Sequence, residues 1–301
     1  MTILQNKIDF AIVFRVTKAN PNGDPLNGNR PRTDFAGLGE VSDVCLKRKL
    51  RDRLVDRYEE LKRDKKLLKG QAIFVQSDER RIDDAKNLRE RAESVLTPDL
   101  MKNREQAVKA ACGEWFDVRA FGQVFPFKGK KQKKGSPRDT EQSSEKDADG
   151  ISIPVRGPVT LQSAFSIERI DVESSQIAKS TSLEGDGEKR QSDQLGMKHR
   201  VDRGIYVCYG SINPQLAERT GFTDEDASVI YAILPKLFEN DASSARPDGS
   251  MEVLKVIWWK HRSKAGQHSS AKVHRSLTVN PDGSIELVDL EGLKPDVRDG
   301  F

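Results

Sequence analysis

The sequence predicts an α+β fold of the ferredoxin-like (RRM-like) type with long polar insertions. An alternating strand followed by a long amphipathic helix opens the chain, and a second strand, helix, strand passage occupies its last third. Glycine-rich or charge-rich stretches separate these elements. With 301 residues, 36% hydrophobic and 33% charged, the chain can bury a sizeable core in one large or two small domains.

Residues Ile8, Phe10, Ile12, Phe14 and Val16 alternate with Asp9, Ala11, Val13, Arg15 and Thr17, the period of a half-buried strand. A Gly/Pro/Asn-rich loop covers 20–39, longer than an ordinary strand-to-helix connection. A helix follows from about Val41 to Leu61 with Ser42 as N-cap, then a second strand over 71–77. Residues 79–112 are charged and helix-prone, and 128–150, lysine-rich and then Ser/Asp/Glu-rich, read as a mobile loop. Strand character returns at Pro158–Val172 and at 204–210, with a polar excursion over 173–203 between them. Thr223 and Asp226 have capping-box spacing, and Pro235 should kink the helix they begin. Residues 251–259 read as a strand, with Trp258 and Trp259 as core plus one exposed face. A hairpin turning at Asp282-Gly283 follows.

Within the first helix, Leu46, Leu50, Leu54, Tyr58 and Leu61 form one apolar arc, and Lys47 and Arg51 fall inside it or at its border. Residues 44–51 hold four basic side chains and no acid. Either these stems snorkel past the core, or, with Arg48 alongside, their charges aim at phosphates. In the 20–39 loop, Asn20, Asn22, Arg30 and Arg32 offer the amides and guanidinium forks that hold phosphates and sugars; a structured turn region without a ligand has the same composition. Arg119 and Phe121 join a cation to an aromatic before Gly122. Phe121 fits a base-stacking platform and an ordinary core position equally. The 173–203 segment carries Lys179, Lys189, Arg190, Lys198, His199, Arg200 and Arg203, with Leu183 and Met197 as isolated apolar tips. Such a mix suits an arm lying across nucleic acid, and a surface loop as well.

A formal net charge of +4 is weak evidence for an anionic partner by itself, so the segregation of charge matters more. Cys45, Cys112 and Cys208 lie far apart and read as free thiols in a reducing compartment. None of the four histidines sits at zinc spacing from a second ligand, so neither metal nor cofactor is expected. The N-terminus lacks a signal pattern and no apolar run reaches membrane-spanning length. A cytoplasmic protein without a membrane partner is expected. Esterase, P-loop and zincin motifs are absent from the sequence. Asp24 and Asp34 are the only carboxylates of the 20–39 loop, which leaves metal-assisted RNA cleavage through one of them as the alternative to a binding protein.

Several blocks together resemble a known family, the guide-RNA-binding backbone subunits of CRISPR Cascade complexes, in their type I-C branch. These are Asn20-Pro21-Asn22-Gly23-Asp24-Pro25, Gly28-Asn29-Arg30-Pro31-Arg32-Thr33-Asp34, Leu46-Lys47-Arg48-Lys49-Leu50-Arg51-Asp52, Asp117–Gly122, Gly157-Pro158-Val159, Thr220–Thr223 and Asp241–Arg246. The resemblance spans nearly the whole chain. It implies one RRM-like palm over 1–301, a helical fingers insertion at 79–150 and a β-hairpin thumb at 173–203. It also implies that copies line up along the CRISPR RNA beside other Cascade subunits and present bases to target DNA in an R-loop. A recruited helicase-nuclease does the cutting in that family. Carried onto this chain, Lys47, Arg48 and Arg51 hold the RNA backbone, and Asn20, Asn22, Arg30 and Arg32 add polar contacts. Arg119, Phe121, Lys179, Lys198, His199 and Arg203 join them, with Met197 or Leu183 as the wedge between bases. Related type III subunits cut RNA with a loop aspartate, the family counterpart of the Asp24 or Asp34 alternative.

Overall fold

The structure, a computed structural model, describes residues 2–127, 151–178 and 195–301. The lysine-rich 128–150 stretch, and with it Lys179, Leu183, Lys189 and Arg190, lies outside the described residues.

The first strand, β1 (Ile8–Ala19), runs through the middle of an antiparallel sheet. The 20–39 stretch is not an open loop. Short strands β2 (Gly23–Asp24) and β3 (Arg30–Pro31) pair with each other around a 3₁₀ turn, and β4 (Leu38–Val41) joins the main sheet. Gly28 and Asn29 take positive φ to reverse the chain there. Helix α1 (Asp43–Arg63) begins as predicted, with the Ser42 hydroxyl accepting from the Cys45 N–H. The strand expected at 71–77 does not form. Its amide groups are diverted, because Phe74 N–H and Val75 N–H donate to the Asp117 carboxylate at 2.7 and 3.1 Å and Ala72 C=O accepts from Phe116 N–H. A ladder needs those same groups.

Helices α2 (Leu88–Val95), α3 (Pro98–Met101), α4 (Arg104–Glu114) and α5 (Phe116–Phe121) follow, and strands β5 (Gly122–Phe127) and β6 (Ile151–Arg156) form a hairpin beside them. These elements pack round their own apolar cluster, centred on the rings of Phe74, Trp115 and Phe125. Strands β7 (Val159–Leu161), β8 (Ala164–Arg169) and β9 (Val172–Ala178) then take successive stretches along one edge of the 18-residue β10 (Leu195–Ile212). Helix α6 (Pro214–Thr220) leads to α7 (Asp224–Ile233), whose capping box between Thr223 and Asp226 is formed. At Pro235 the helix stops rather than kinks: α7 ends at Ile233 and a 3₁₀ turn takes over. Strand β11 (Met251–Lys260), helix α8 (Ser270–His274), the hairpin β12 (Leu277–Val279) and β13 (Ile285–Leu287), and edge strand β14 (Asp296–Asp299) complete the chain.

The main sheet has the order β14-β11-β1-β10-β8-β4. β1 is buried on both faces, not half-buried. Phe10, Ile12 and Phe14 pack with Leu46, Leu50 and Leu54 of α1 and Ile230 and Ile233 of α7. Ala11 and Val13 pack the opposite way, with Val273, Leu277 and Leu293 of the C-terminal layer. Trp258 and Trp259 divide between the two sides and are both core, 7% and 1% exposed. Among the described residues, no helix is long and apolar enough to cross a membrane.

One polar node is enclosed beneath the C-terminal layer. Asp9, fully buried on β1, accepts from His261 Nε2 at 2.9 Å and pairs with Lys7 at 3.1 Å, while His274 Nε2 approaches at 3.7 Å. Burial alone would push the Asp9 carboxyl up, but the hydrogen bond from His261, the nearby Ser270 hydroxyl and the Lys7 ammonium take it below its ordinary range. Burial likewise pulls His274 below its ordinary 6.5, with Asp9 opposing. Both groups hold protons less tightly folded than unfolded, so each contributes stability at neutral pH that is lost on acidification. We expect the urea midpoint to fall as the pH drops below about 6.5, where His274 loses its contribution, then further below about pH 4 through Asp9. A His274→Gln variant should show a flatter profile in the upper window only. An unchanged slope there would place the loss elsewhere.

Candidate nucleic-acid interface

Three segments distant in sequence meet at the start of α1. The loop 21–23, the first turns of α1 and the loop 240–246, joined by residues 77–80, enclose an open groove of about 520 Å³. Hydrogen bonds fix each wall. The Asn22 side-chain oxygen accepts from Ser42 N–H at 2.9 Å, tying the loop to the helix start. Asn20, buried, donates its amide N–H to Ala245 C=O at 2.9 Å and its side-chain N–H to Asn29 C=O at 2.7 Å, so one asparagine joins the two loops that face each other.

The groove floor is charged. Arg48 pairs with Asp52 at 3.2 Å. Lys49, 4% exposed at its side chain, is bonded to Asp241, which also accepts from Arg246 Nε at 3.0 Å. Arg80 reaches Asp56 at 2.7 Å and the Asn240 carbonyl. Burial raises the Asp52 carboxyl, against the pull of Arg48, Arg80 and Arg53, and it raises the Cys45 thiol in the same wall. The groove therefore offers Arg48, Arg80 and Arg246 as partly exposed cations beside the side-chain amide of Asn22 and the hydroxyls of Ser77 and Ser243. Such a mixture binds phosphates and sugars.

The structure splits the basic window of α1. Arg48 and Lys49 line the groove, whereas Lys47 and Arg51, one turn apart, do not. Lys47 pairs with Asp43 at 2.9 Å, and Arg51 bonds the buried Asp117 at 2.9 Å with its guanidinium over the Phe121 ring. Phe121 packs against the main core. Arg119 lies elsewhere, gripping Asp226 through two hydrogen bonds of 2.9 and 2.8 Å and so fastening α5 to the start of α7. Arg32 faces Asp24 at 3.5 Å, and Arg30 sits opposite Asp24 in the β2–β3 pair. Both candidate aspartates cap local turns: Asp24 accepts from Leu26 N–H at 3.2 Å, and Asp34 from Ala36 and Leu38 N–H at 2.9 Å each.

On the β9–β10 hairpin, Met197 is 55% exposed and shares a strand face with Leu195 and His199, whose Nδ1 bonds Ser174 Oγ at 2.8 Å. Lys198 stands opposite Ser175, and Arg203 opposite Thr17 where the hairpin enters the sheet. At that base Glu173 accepts from Lys18 and Arg200, both at 2.8 Å. Sequence reasoning missed Arg80, Arg246 and the buried Lys49–Asp241 pair. The one available signal was a fourth cation in the basic window, standing across the apolar arc from Lys47.

A family model described as CRISPR-associated protein Cas7 matches residues 6–293. The chain therefore belongs to the Cas7 family of CRISPR-associated proteins. A CRISPR-associated protein Cas7 from Haloferax volcanii is 26% identical over 305 residues, covering 99% of this chain and 82% of the relative. A chain of a solved CRISPR RNA-guided surveillance complex, pre-nicking, is similar with TM-score 0.44 and 17% identity over 84% of this chain and 75% of that one. A chain of another CRISPR RNA-guided surveillance complex gives 0.43 and 15% over 92% and 77%.

Asp241→Ala leaves Lys49 buried without its counter-ion, and should cost about 3–5 kcal/mol of stability by urea denaturation. Lys49→Met combined with Asp241→Leu should recover most of it. A single-mutant loss below about 1 kcal/mol would mean that water already reaches the pair.

Proposed function

We propose that this Cas7-family chain is a non-catalytic backbone subunit of a type I-C Cascade complex, binding CRISPR RNA in the cytoplasm as one of several copies. Its copies would line the guide segment, beside other Cascade subunits, and present bases to target DNA in an R-loop. Cleavage would fall to a recruited helicase-nuclease. The observation that carries this reading is the groove at the start of α1, where three of the sequence blocks shared with that family converge although they lie far apart in the chain. Arg48, with Arg80 and Arg246, would take phosphates; Asn22 would take sugar or phosphate oxygens; Asn20, Arg30 and Arg32 would hold or extend the loop wall.

The order β11-β1-β10-β8, with α1 and α7 on one face, supports an RRM-like palm. The cluster round Phe74, Trp115 and Phe125 supports a separate fingers unit over 79–150. The β9–β10 hairpin supports a thumb at 173–203, with exposed Met197 as a wedge and Lys198, His199 and Arg203 beside it. Lys47, Arg51, Arg119 and Phe121 lie outside the groove; of these, Lys47 and Arg51 are proposed as RNA contacts on the other flank of α1, and Arg119 as a support for the fold.

Titration of guide-length RNA with increasing salt tests this. Wild type should form multi-copy assemblies, and Arg48→Ala and Arg246→Ala should each weaken binding across RNA sequences and reduce the log K against log salt slope by about 0.7. Unchanged affinity in both variants would remove the groove from the interface. Mg²⁺-dependent cleavage of complementary RNA that disappears in Asp24→Ala or Asp34→Ala would instead establish the nuclease alternative.

A further inference from the structure

Arg51 differs from the other well-buried arginines beside it in how its donors are used. Arg119 gives Nε and Nη2 to Asp226 and Nη1 to the Cys112 carbonyl. Arg91 gives Nε and Nη2 to Asp83 and Nη1 to the Phe74 carbonyl. In both guanidinium groups all three nitrogens are engaged, as a purely structural arginine's should be. Arg51 has only Nε engaged, on Asp117 at 2.9 Å, and its guanidinium carbon lies 5.2 Å from the centre of the Phe121 ring. Its two Nη nitrogens have no hydrogen-bond partner among the described residues, and neither is sealed from solvent. Arg53, one turn-half further on, is the contrast: its orphan nitrogens are fully enclosed and open to nothing.

Asp117 is itself held rigidly. Fully buried on α5, it takes two backbone N–H groups from the 74–75 segment as well as Arg51. A carboxylate pinned by two amides therefore clamps one edge of a guanidinium, a ring supports one face, and the fork at the other edge is left for an incoming group. The entropy of ordering a long cationic side chain is lost during folding rather than on binding.

Resting on the RNA-binding reading above, we infer that Asp117 and Phe121 are positioning residues that present the Arg51 fork to one phosphate of the guide RNA. In this arrangement Phe121 is the support under a cation and stacks on no base. Because the fork is planar and bidentate, lysine is no substitute for Arg51 although it keeps the charge. Asp117 supplies the discriminating sign: deleting a buried negative charge would strengthen RNA binding if bulk electrostatics governed, but weakens it if Asp117 acts by aiming Arg51.

The experiment is RNA affinity at fixed salt, with thermal unfolding in parallel, for the full chain and for Arg51→Lys, Asp117→Asn and Phe121→Leu. Arg51→Lys is expected to lose roughly ten- to hundredfold in affinity with little change in unfolding temperature. Asp117→Asn, whose single amide oxygen can keep only part of the N–H bonds that the two carboxylate oxygens share, should also bind more weakly despite its extra net positive charge. Wild-type affinity in Arg51→Lys, or tighter binding by a folded Asp117→Asn, overturns the inference while leaving RNA binding itself intact. Should Asp117→Asn fail to fold, Arg51→Lys and Phe121→Leu decide the matter by the same affinity criterion. Absence of RNA binding by wild type would sink the underlying reading, and this inference with it.

Discussion

Burial of β1 on both faces is the constraint on which the rest of the molecule depends. An antiparallel strand covered on one side needs a single partner layer; this one needs two. Phe10, Ile12 and Phe14 require the α1 and α7 layer, while Ala11 and Val13 require the layer formed by α8 and the β12–β13 hairpin. Because α1 is drawn onto the sheet by Leu46, Leu50 and Leu54, its first turns are delivered to the sheet end where β1 runs into the 20–39 segment. The groove is a consequence of that delivery. Its position follows from the core, and its charge from the residues of α1 that the core leaves out.

The second covered face also narrows where nucleic acid can lie. In many RRM-like sheets the open face binds bases by stacking. Here that face carries the C-terminal layer and encloses the Asp9–His261 node, so the proposed RNA contacts fall at a helix end and its flanking loops. Helix ends and polar loops of this kind hold backbones rather than read base edges, which suits the proposed role, in which base pairing reads the sequence.

Buried ion pairs recur at the junctions: Arg51–Asp117, Arg119–Asp226 and Lys49–Asp241. Such pairs contribute little net stability over apolar replacements, but they are directional. Each joins segments that meet only in the folded chain, and two of the three lie within or beside the proposed RNA contacts. Their service is to fix angles between α1, α5, α7 and the 240–246 loop.

What the sequence alone determined was whatever depends on near neighbours. The Ser42 cap, the Thr223–Asp226 capping box and the Asp282-Gly283 hairpin close bonds over a few residues, and all three form as read. The alternation of β1 was legible as a strand, and the blocks at 20–34, 46–52 and 241–246 pointed to the family. Tertiary structure decided whatever depends on distant partners. The 71–77 segment has strand-like composition, yet Asp117, some forty residues on, takes its amides. Lys49 reads as one more surface cation until Asp241, 192 residues away, pairs with it. Lys47 and Arg48 are adjacent in sequence and part company across the helix, because the direction of a helical side chain is set by what the helix packs against. Local bonds are written in spacing, whereas the fate of a charge depends on which carboxylate the fold brings to it.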